Sequence, residues 1–428
     1  VTIQLFLAIF FIDIILEAGI DFPSKIGPIS FKNAFIYSML IWAIVNKSKE
    51  AGIRRDKSVE QITLWFIIFG SYAILSASFP MLMGRSDYPA MLALNTIKNE
   101  VLDAFSCFFI FWFFTKNSRR PMLGLKISVV FIGLMCAATL LESIIGGLTI
   151  FDFDDDSARP NGPMGEPNQT ATILALCLPI VASMVLFKGF IRLIALGVCF
   201  LILVTIALTG SRGGMLSAFV ACSHMFWLMR SNIALSNRVL ILAAAPVVMF
   251  FAWFIMPEYY QSLLLERLSF FQEKDVDWDT ASAGRTIIWG RGIDLWYQSP
   301  IIGSGWSSFK LTLGGASHNV YLEYLVSLGI VGVIIVLLMY RKLYFHFMKF
   351  RKLFIRSEES LLAAGAASGI VGLCAGLFFV NLYVPWLIVW CMLGYVAGIK
   401  TKQLIEYRVN QITLQQAQQA QQAPEAVK

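Results

Sequence analysis

Charge is what this chain has least of. Only 14% of its 428 residues are charged, against 57% hydrophobic, and the mean hydropathy is +0.70. That balance is far from the composition of a soluble protein. Histidine is rarer still, with three copies, at 224, 318 and 346. His224 and His346 fall near the ends of apolar runs opposite to the one that His318 opens, which excludes a multi-histidine metal site. The seven cysteines (Cys107, Cys136, Cys177, Cys199, Cys222, Cys374 and Cys391) lie within or beside apolar runs and form no CxxC or CxxH spacing. They read as small packing residues. Short alternating segments of the kind a membrane β-barrel needs are also missing.

What is present is a series of long apolar runs. A helix satisfies its own backbone polar groups in lipid, and about 20 apolar residues cross a bilayer. The expected fold is therefore an all-α polytopic membrane protein of about twelve transmembrane helices. In chain order the spans are Ile3–Gly19, Ala34–Val45, Ile62–Leu82, Val101–Phe114, Leu123–Ile145 and Ala171–Phe187, then Leu193–Leu208, Met215–Met229, Val239–Met256, Val320–Tyr340, Leu361–Phe379 and Val384–Ile399. Residues 1–409 form one transmembrane domain, with a large polar loop at 257–317 containing amphipathic helix, and 410–428 form a Gln/Ala-rich tail. No small-residue cleavage site follows the first run, so it reads as a span and not a cleaved leader.

The formal charge of +7 would suggest a nucleic-acid partner in a soluble protein. Here the basic residues cluster in short loops: Lys47 to Lys57, Lys116 to Arg120, Lys188 and Arg192, Arg230 and Arg238, and Arg341 to Arg356. Each cluster follows an even-numbered span. The positive-inside rule then places both termini in the cytoplasm and the odd loops outside, with no role for nucleic acid. The acidic residues Asp152, Asp154, Asp155 and Asp156 fall in an outer loop; such runs are usually only solvated, and the alternative is a divalent cation.

Three outer loops supply the candidate chemistry. The first runs Arg159-Pro-Asn-Gly-Pro-Met-Gly-Glu-Pro-Asn168. The second is the tight connection Thr209-Gly-Ser-Arg-Gly-Gly214. An arginine at a membrane edge is costly without a partner. The flanking glycines would allow unusual backbone angles and close approach of a ligand, and the following helix start would add partial positive charge. Arg212 is thus either a phosphate-binding residue or an arginine snorkelling at a helix end. In the third loop, Trp289, Ile293 and Trp296 follow i, i+4, i+7 spacing, with Arg285 on the same face and Arg291 and Asp294 on the wet face. This helix is expected to lie in the membrane interface with its tryptophans as anchors. Arg285 then needs an anionic partner, whereas Arg291 reads as solvated. His318 opens the next apolar run. It is either a satisfied residue at a helix start or a general base, kept neutral by nearby positive charge.

At these residues the sequence resembles the O-antigen ligase and polymerase family of bacterial envelope glycosyltransferases. The resemblance rests on Arg159 with Gly162, Gly165, Pro167 and Asn168; on Thr209–Gly214; on Gly284-Arg285 with Trp289, Pro300, Gly303 and Gly305; and on Ser317-His-Asn-Val-Tyr-Leu-Glu323 with Gly329. It implies a metal-independent, GT-C-like transferase of the bacterial inner membrane. Such an enzyme has no cofactor and carries its active site on the periplasmic face. It would move a preassembled glycan from undecaprenyl diphosphate to an acceptor hydroxyl. Arg212 and Arg285 would hold the diphosphate, Arg159 would contact donor or glycan, and His318 would be the catalytic base. The acceptor expected is lipid A–core, as in an O-antigen ligase of lipopolysaccharide biosynthesis. A polymerase extending lipid-linked repeats is the alternative, followed by a protein O-oligosaccharyltransferase. A transporter or flippase is the rival from another class, but its charges would sit near mid-membrane.

Overall fold

A computed structural model of the chain describes residues 2–20, 25–26, 29–47, 55–84, 88–145, 153–154, 159–230, 261, 262, 265, 285–353, 357–381 and 386–422. The expected span Val239–Met256, Arg267 and Gly284, and all of the acidic run except Asp154, lie outside them.

The described chain is a helical bundle. In order it contains α1 (Thr2–Ile20), α2 (Phe31–Lys47), α3 (Lys57–Ser76), the short α4 (Phe79–Leu82) and α5 (Ala90–Ile97). A five-residue π-helical step, Lys98–Leu102, joins α5 to α6 (Asp103–Lys116). Then follow α7 (Pro121–Ile144), α8 (Pro167–Met184), α9 (Ile191–Leu208), α10 (Arg212–Met229), α11 (Arg285–Tyr297), α12 (Ser308–Leu313), α13 (Val320–Leu353), α14 (Glu358–Gly376) and α15 (Trp386–Gln422). Two minimal hairpins, Lys25–Ile26 with Ile29–Ser30 and Phe153–Asp154 with Arg159–Pro160, are the strands among the described residues. Every expected span other than Val239–Met256 coincides with a helix. Among the described residues six helices, α3, α7, α8, α9, α13 and α14, are long and apolar enough to cross a membrane. The chain is an all-α membrane protein on that evidence; the count of twelve remains an expectation. The Gln/Ala-rich tail continues α15 as helix to Gln422.

Two packing features position the polar end of the bundle. The first is α14, whose sequence LLAAGAASGIVGLCAG is a stripe of small residues. Without a hydrophobic drive between helices in lipid, close backbone approach does the work, and small residues permit it. A side chain at Gly365 would strike the Pro179–Ile180 backbone of α8, and one at Gly372 would strike Ala221 of α10. The Ser217 hydroxyl donates to the Gly372 carbonyl at 2.6 Å. Helices α8 and α10 are thereby clamped to α14, so the starts of α8 and α10 lie close together.

The second feature is a break in α13 at Gly329, which has φ 65° and ψ −170°. The break frees backbone groups that would be costly to bury unpaired. The loop after α11 fills it. Ile330 N donates to Pro300 O and Val331 N to Ile301 O, while Ser304 N and Gly305 N donate to Val326 O and Ser327 O. Tyr72 of α3 adds a bond to Leu328 O at 3.1 Å. Pro300, Gly303 and Gly305 thus do more than turn the chain toward His318. They plug a helix break, and a Cβ at either glycine would collide with its neighbour.

Candidate active site

Four helices begin in one region, and each brings a charged or polar group to its first turn. Helix α8 starts at Pro167, whose fixed φ suits the first helical position. Glu166 caps it by accepting from Asn168 N at 3.1 Å and Gln169 N at 2.8 Å. The Asn168 side chain holds the same carboxylate at 2.7 Å. Helix α10 starts at Arg212 under a Ser211 cap, with Ser211 Oγ accepting from Gly214 N at 3.1 Å. Arg285 is the first described residue of α11. Asn319 caps α13, its Oδ1 accepting from Leu322 N at 3.1 Å.

The candidate arginines converge here. The charges of Arg212, Glu166 and Arg159 all act on Arg285, and those of Arg285 and Glu166 act on His318. Arg212 is exposed, whereas Arg159, Arg285 and His318 are half-buried. Arg285 Nη1 donates to Phe379 O at 3.5 Å. Its pKa is pushed down from the usual arginine value, first by burial and then by Arg212. Arg159 Nε is buried without a hydrogen-bond partner. Three guanidinium groups gather here, and among the described residues Glu166 is the acidic group whose charge acts on Arg285 and His318.

His318 occupies a strained turn. Its φ is +51°, a region that non-glycine residues rarely adopt. Such a conformation costs roughly 1–3 kcal/mol and persists only where the surroundings enforce it. The surroundings are dense. Ser317 Oγ accepts from Asn319 N at 3.0 Å and donates to Asn319 O at 2.8 Å. Glu323 Oε1 accepts from Ser317 N at 3.2 Å and from Asn381 Nδ2 at 2.8 Å. Trp289 Nε1 donates to Ser317 O at 2.8 Å. Burial, and next the charge of Arg285, push the His318 pKa below its usual value, with Glu166 opposing. The imidazole is therefore neutral at neutral pH, as a base must be. His224 bonds Ser368 and Tyr344, and His346 bonds Ser58 and Lys400. Both lie well along their helices from this turn.

Several sequence readings change. The inner face of α11 is built on Gly292 and Leu295, with Ile288, Trp289 and Trp296 beside them, and Ile293 is 40% exposed. The helix is rotated from the expected face, although Arg285 stays on the inner side, seven residues from Gly292. Its tryptophans bolt protein to protein: Trp289 holds the His318 turn, and Trp296 Nε1 donates to Pro300 O at 3.1 Å. Arg291 and Asp294 are both exposed, as expected, but among the described residues they form no ion pair with each other. Gly213 and Gly214 do not leave room for a ligand. A Cβ on Gly213 would meet Phe379, and one on Gly214 would meet Ala171. Gly210, with φ +58°, is the glycine of that turn that uses a left-handed conformation.

Glu166, Glu323 and Asn381 escaped sequence reasoning as site residues. Glu166 carried a signal, since an acidic residue directly before a proline reads as a helix cap. The Glu323–Asn381 pair spans 58 positions and leaves no local pattern.

Comparison with known families matches residues 197–337 to a model described as O-antigen ligase. The matched segment contains Arg212, Arg285 and His318 and leaves out Arg159. No curated protein matches the chain. The family match bears out the resemblance carried by the motifs over that segment, which is similar to the O-antigen ligase family.

Proposed function

We propose that the chain transfers a glycan from undecaprenyl diphosphate to a sugar hydroxyl of lipid A–core at the periplasmic side of the inner membrane. The observation that carries this reading is the gathering of Arg212 and Arg159 about Arg285, whose charge in turn acts on one strained histidine with a lowered pKa. Arg212 and Arg285 bind the diphosphate, and Arg159 contributes its unpaired Nε to a donor oxygen. Charge grows on the diphosphate as the anomeric C–O bond breaks, and fixed guanidinium groups stabilise it without reorganising. His318 accepts the proton from the acceptor hydroxyl as its oxygen bonds the anomeric carbon. The electron pair of the broken bond leaves on the diphosphate, which departs still attached to its lipid.

In this reading the arginines do the electrostatic work that a divalent metal does elsewhere. Both termini face the cytoplasm, and the helix starts at the site face outward. Reconstituted full chain, given lipid-linked glycan together with lipid A–core, is expected to form glycosylated core. Elongated lipid-linked glycan with bare core would instead make it a polymerase. No product with either acceptor would reject transfer.

A further inference from the structure

Beside the Ser317–Glu323 segment lies a second polar chamber of about 590 Å³. It is walled by the end of α1, the start of α2, the π-helical step, α12 and the first turns of α13. None of Arg159, Arg212, Arg285 or His318 lines it, whereas Glu323 does. Glu323 also bonds the His318 turn, so it is a shared wall.

The charges in this chamber are offset. Lys32 pairs with Glu17 at 2.9 Å and Lys98 with Asp103 at 3.2 Å. Lys310 and Glu323 add one charge of each sign. Glu100 lines the same space, and among the described residues its carboxyl has no hydrogen bond or ion pair. Burial, then the nearby Glu323, push its pKa up to about 8, so it is protonated at neutral pH and able to donate. Such a lining does not select an anion.

What it has in surplus is hydrogen-bonding capacity. Ser30 Oγ, Asn33 Oδ1 and Trp306 Nε1 are buried, without partners, and belong to residues that line this one chamber. Trp306 is only 3% exposed. A buried polar group left unmet costs about 1–3 kcal/mol, and three around one cavity point to a ligand that meets them. Two are acceptors or hydroxyls and two, Trp306 and Glu100, are donors. A hydroxyl both donates and accepts, so a neutral ring bearing several hydroxyls satisfies the mixture.

We infer that this chamber is a sugar-binding subsite for the acceptor glycan, holding a neutral sugar next to the one whose hydroxyl reaches His318. The inference rests on the transferase reading for its source of sugar, but the subsite itself can be observed without turnover. The full chain in detergent is titrated with glucose, galactose, N-acetylglucosamine and lactose, and binding is read by saturation-transfer NMR. In parallel, acceptor and donor KM are measured in transfer. Trp306→Phe keeps the ring and removes the N–H; Asn33→Ala removes the unmet acceptor from a different wall.

Each change is expected to weaken sugar binding and raise acceptor KM about tenfold, the worth of one such hydrogen bond, with donor KM unchanged. Should Trp306→Phe lower the melting midpoint, Asn33→Ala carries the test. No saturation transfer to any of the sugars in the wild-type chain overturns the inference, as does an acceptor KM that neither variant moves. A rise in donor KM instead would assign the chamber to the donor glycan and overturn it equally. If sugars bind and the variants abolish binding while no donor supports transfer, the subsite stands and the transferase reading falls.

Discussion

The molecule contains two polar clusters, each with a histidine and basic side chains, and they differ in what they leave unpaired. One joins α3, α13 and α15. There Asp56 accepts from Ser58 N and Oγ at 3.0 and 2.6 Å and from Thr401 Oγ1 at 2.8 Å. Lys400 Nζ lies 2.9 Å from His346 Nδ1 and 4.0 Å from Asp56. Trp112 donates to Thr401 at 3.0 Å. Every one of these side chains has a protein partner, and Asp56, His346 and Lys400 are all buried. The other cluster is the Arg159–Arg212–Arg285–His318 region. It gathers like charges, keeps Arg159 Nε unmet and holds His318 in a left-handed turn. A closed polar network fastens helices; an open one, with strain and surplus positive charge, is what the proposed donor site would need.

That contrast can be broken by substitution. The largest effect is expected from His318→Ala, which should lower the transfer rate roughly 10²–10⁴-fold with an unchanged melting midpoint. Next is Lys400→Met in the closed cluster. It leaves Asp56 buried without its neighbouring ammonium and should cost about 3 kcal/mol of stability, read as a lower thermal or denaturant midpoint. Transfer at a temperature where the fold persists should be intact. A Lys400→Met protein that is stable but inactive would erase the distinction between the clusters.

Arg285→Gln should weaken donor binding about tenfold, the worth of a charge-assisted hydrogen bond, measured with undecaprenyl diphosphate. It also sharpens the electrostatic argument. With His318 as the proposed neutral base, activity should fall as pH drops through its pKa, which burial and Arg285 hold below the usual value. Removing the Arg285 charge favours the imidazolium, so the acid limb of kcat/KM should move to higher pH. Glu166→Gln removes the negative charge that favours the imidazolium and should move it to lower pH. The smallest effect is expected from Asn319→Ala, which deletes the cap of α13 and should cost about 1 kcal/mol in thermal stability.

Much of the fold was legible because hydropathy reports which segments leave water. The helices from α6 through α10 follow the expected spans to within a few residues. The grouping of Arg159, Arg212, Arg285 and His318 was legible because the order of apolar runs puts their loops at the same end of the expected bundle. What the pattern could not convey was the identity of partners. Trp289 looked like a lipid anchor because an indole at an apolar face fits both roles; its bond to Ser317 O depends on where a loop 28 residues away returns. Gly213 and Gly214 read as ligand space, yet Phe379 and Ala171 fill it. Gly329 sits in an unbroken apolar run, and only the loop from Pro300 to Gly305 shows why the helix opens there.

The central claim is that the arginines hold the donor while His318 performs the proton transfer. It is tested most directly by measuring donor binding and single-turnover transfer on the same His318→Ala preparation. Undecaprenyl-diphosphate-linked glycan should bind with wild-type affinity and give almost no product. Transfer at the wild-type rate would contradict it.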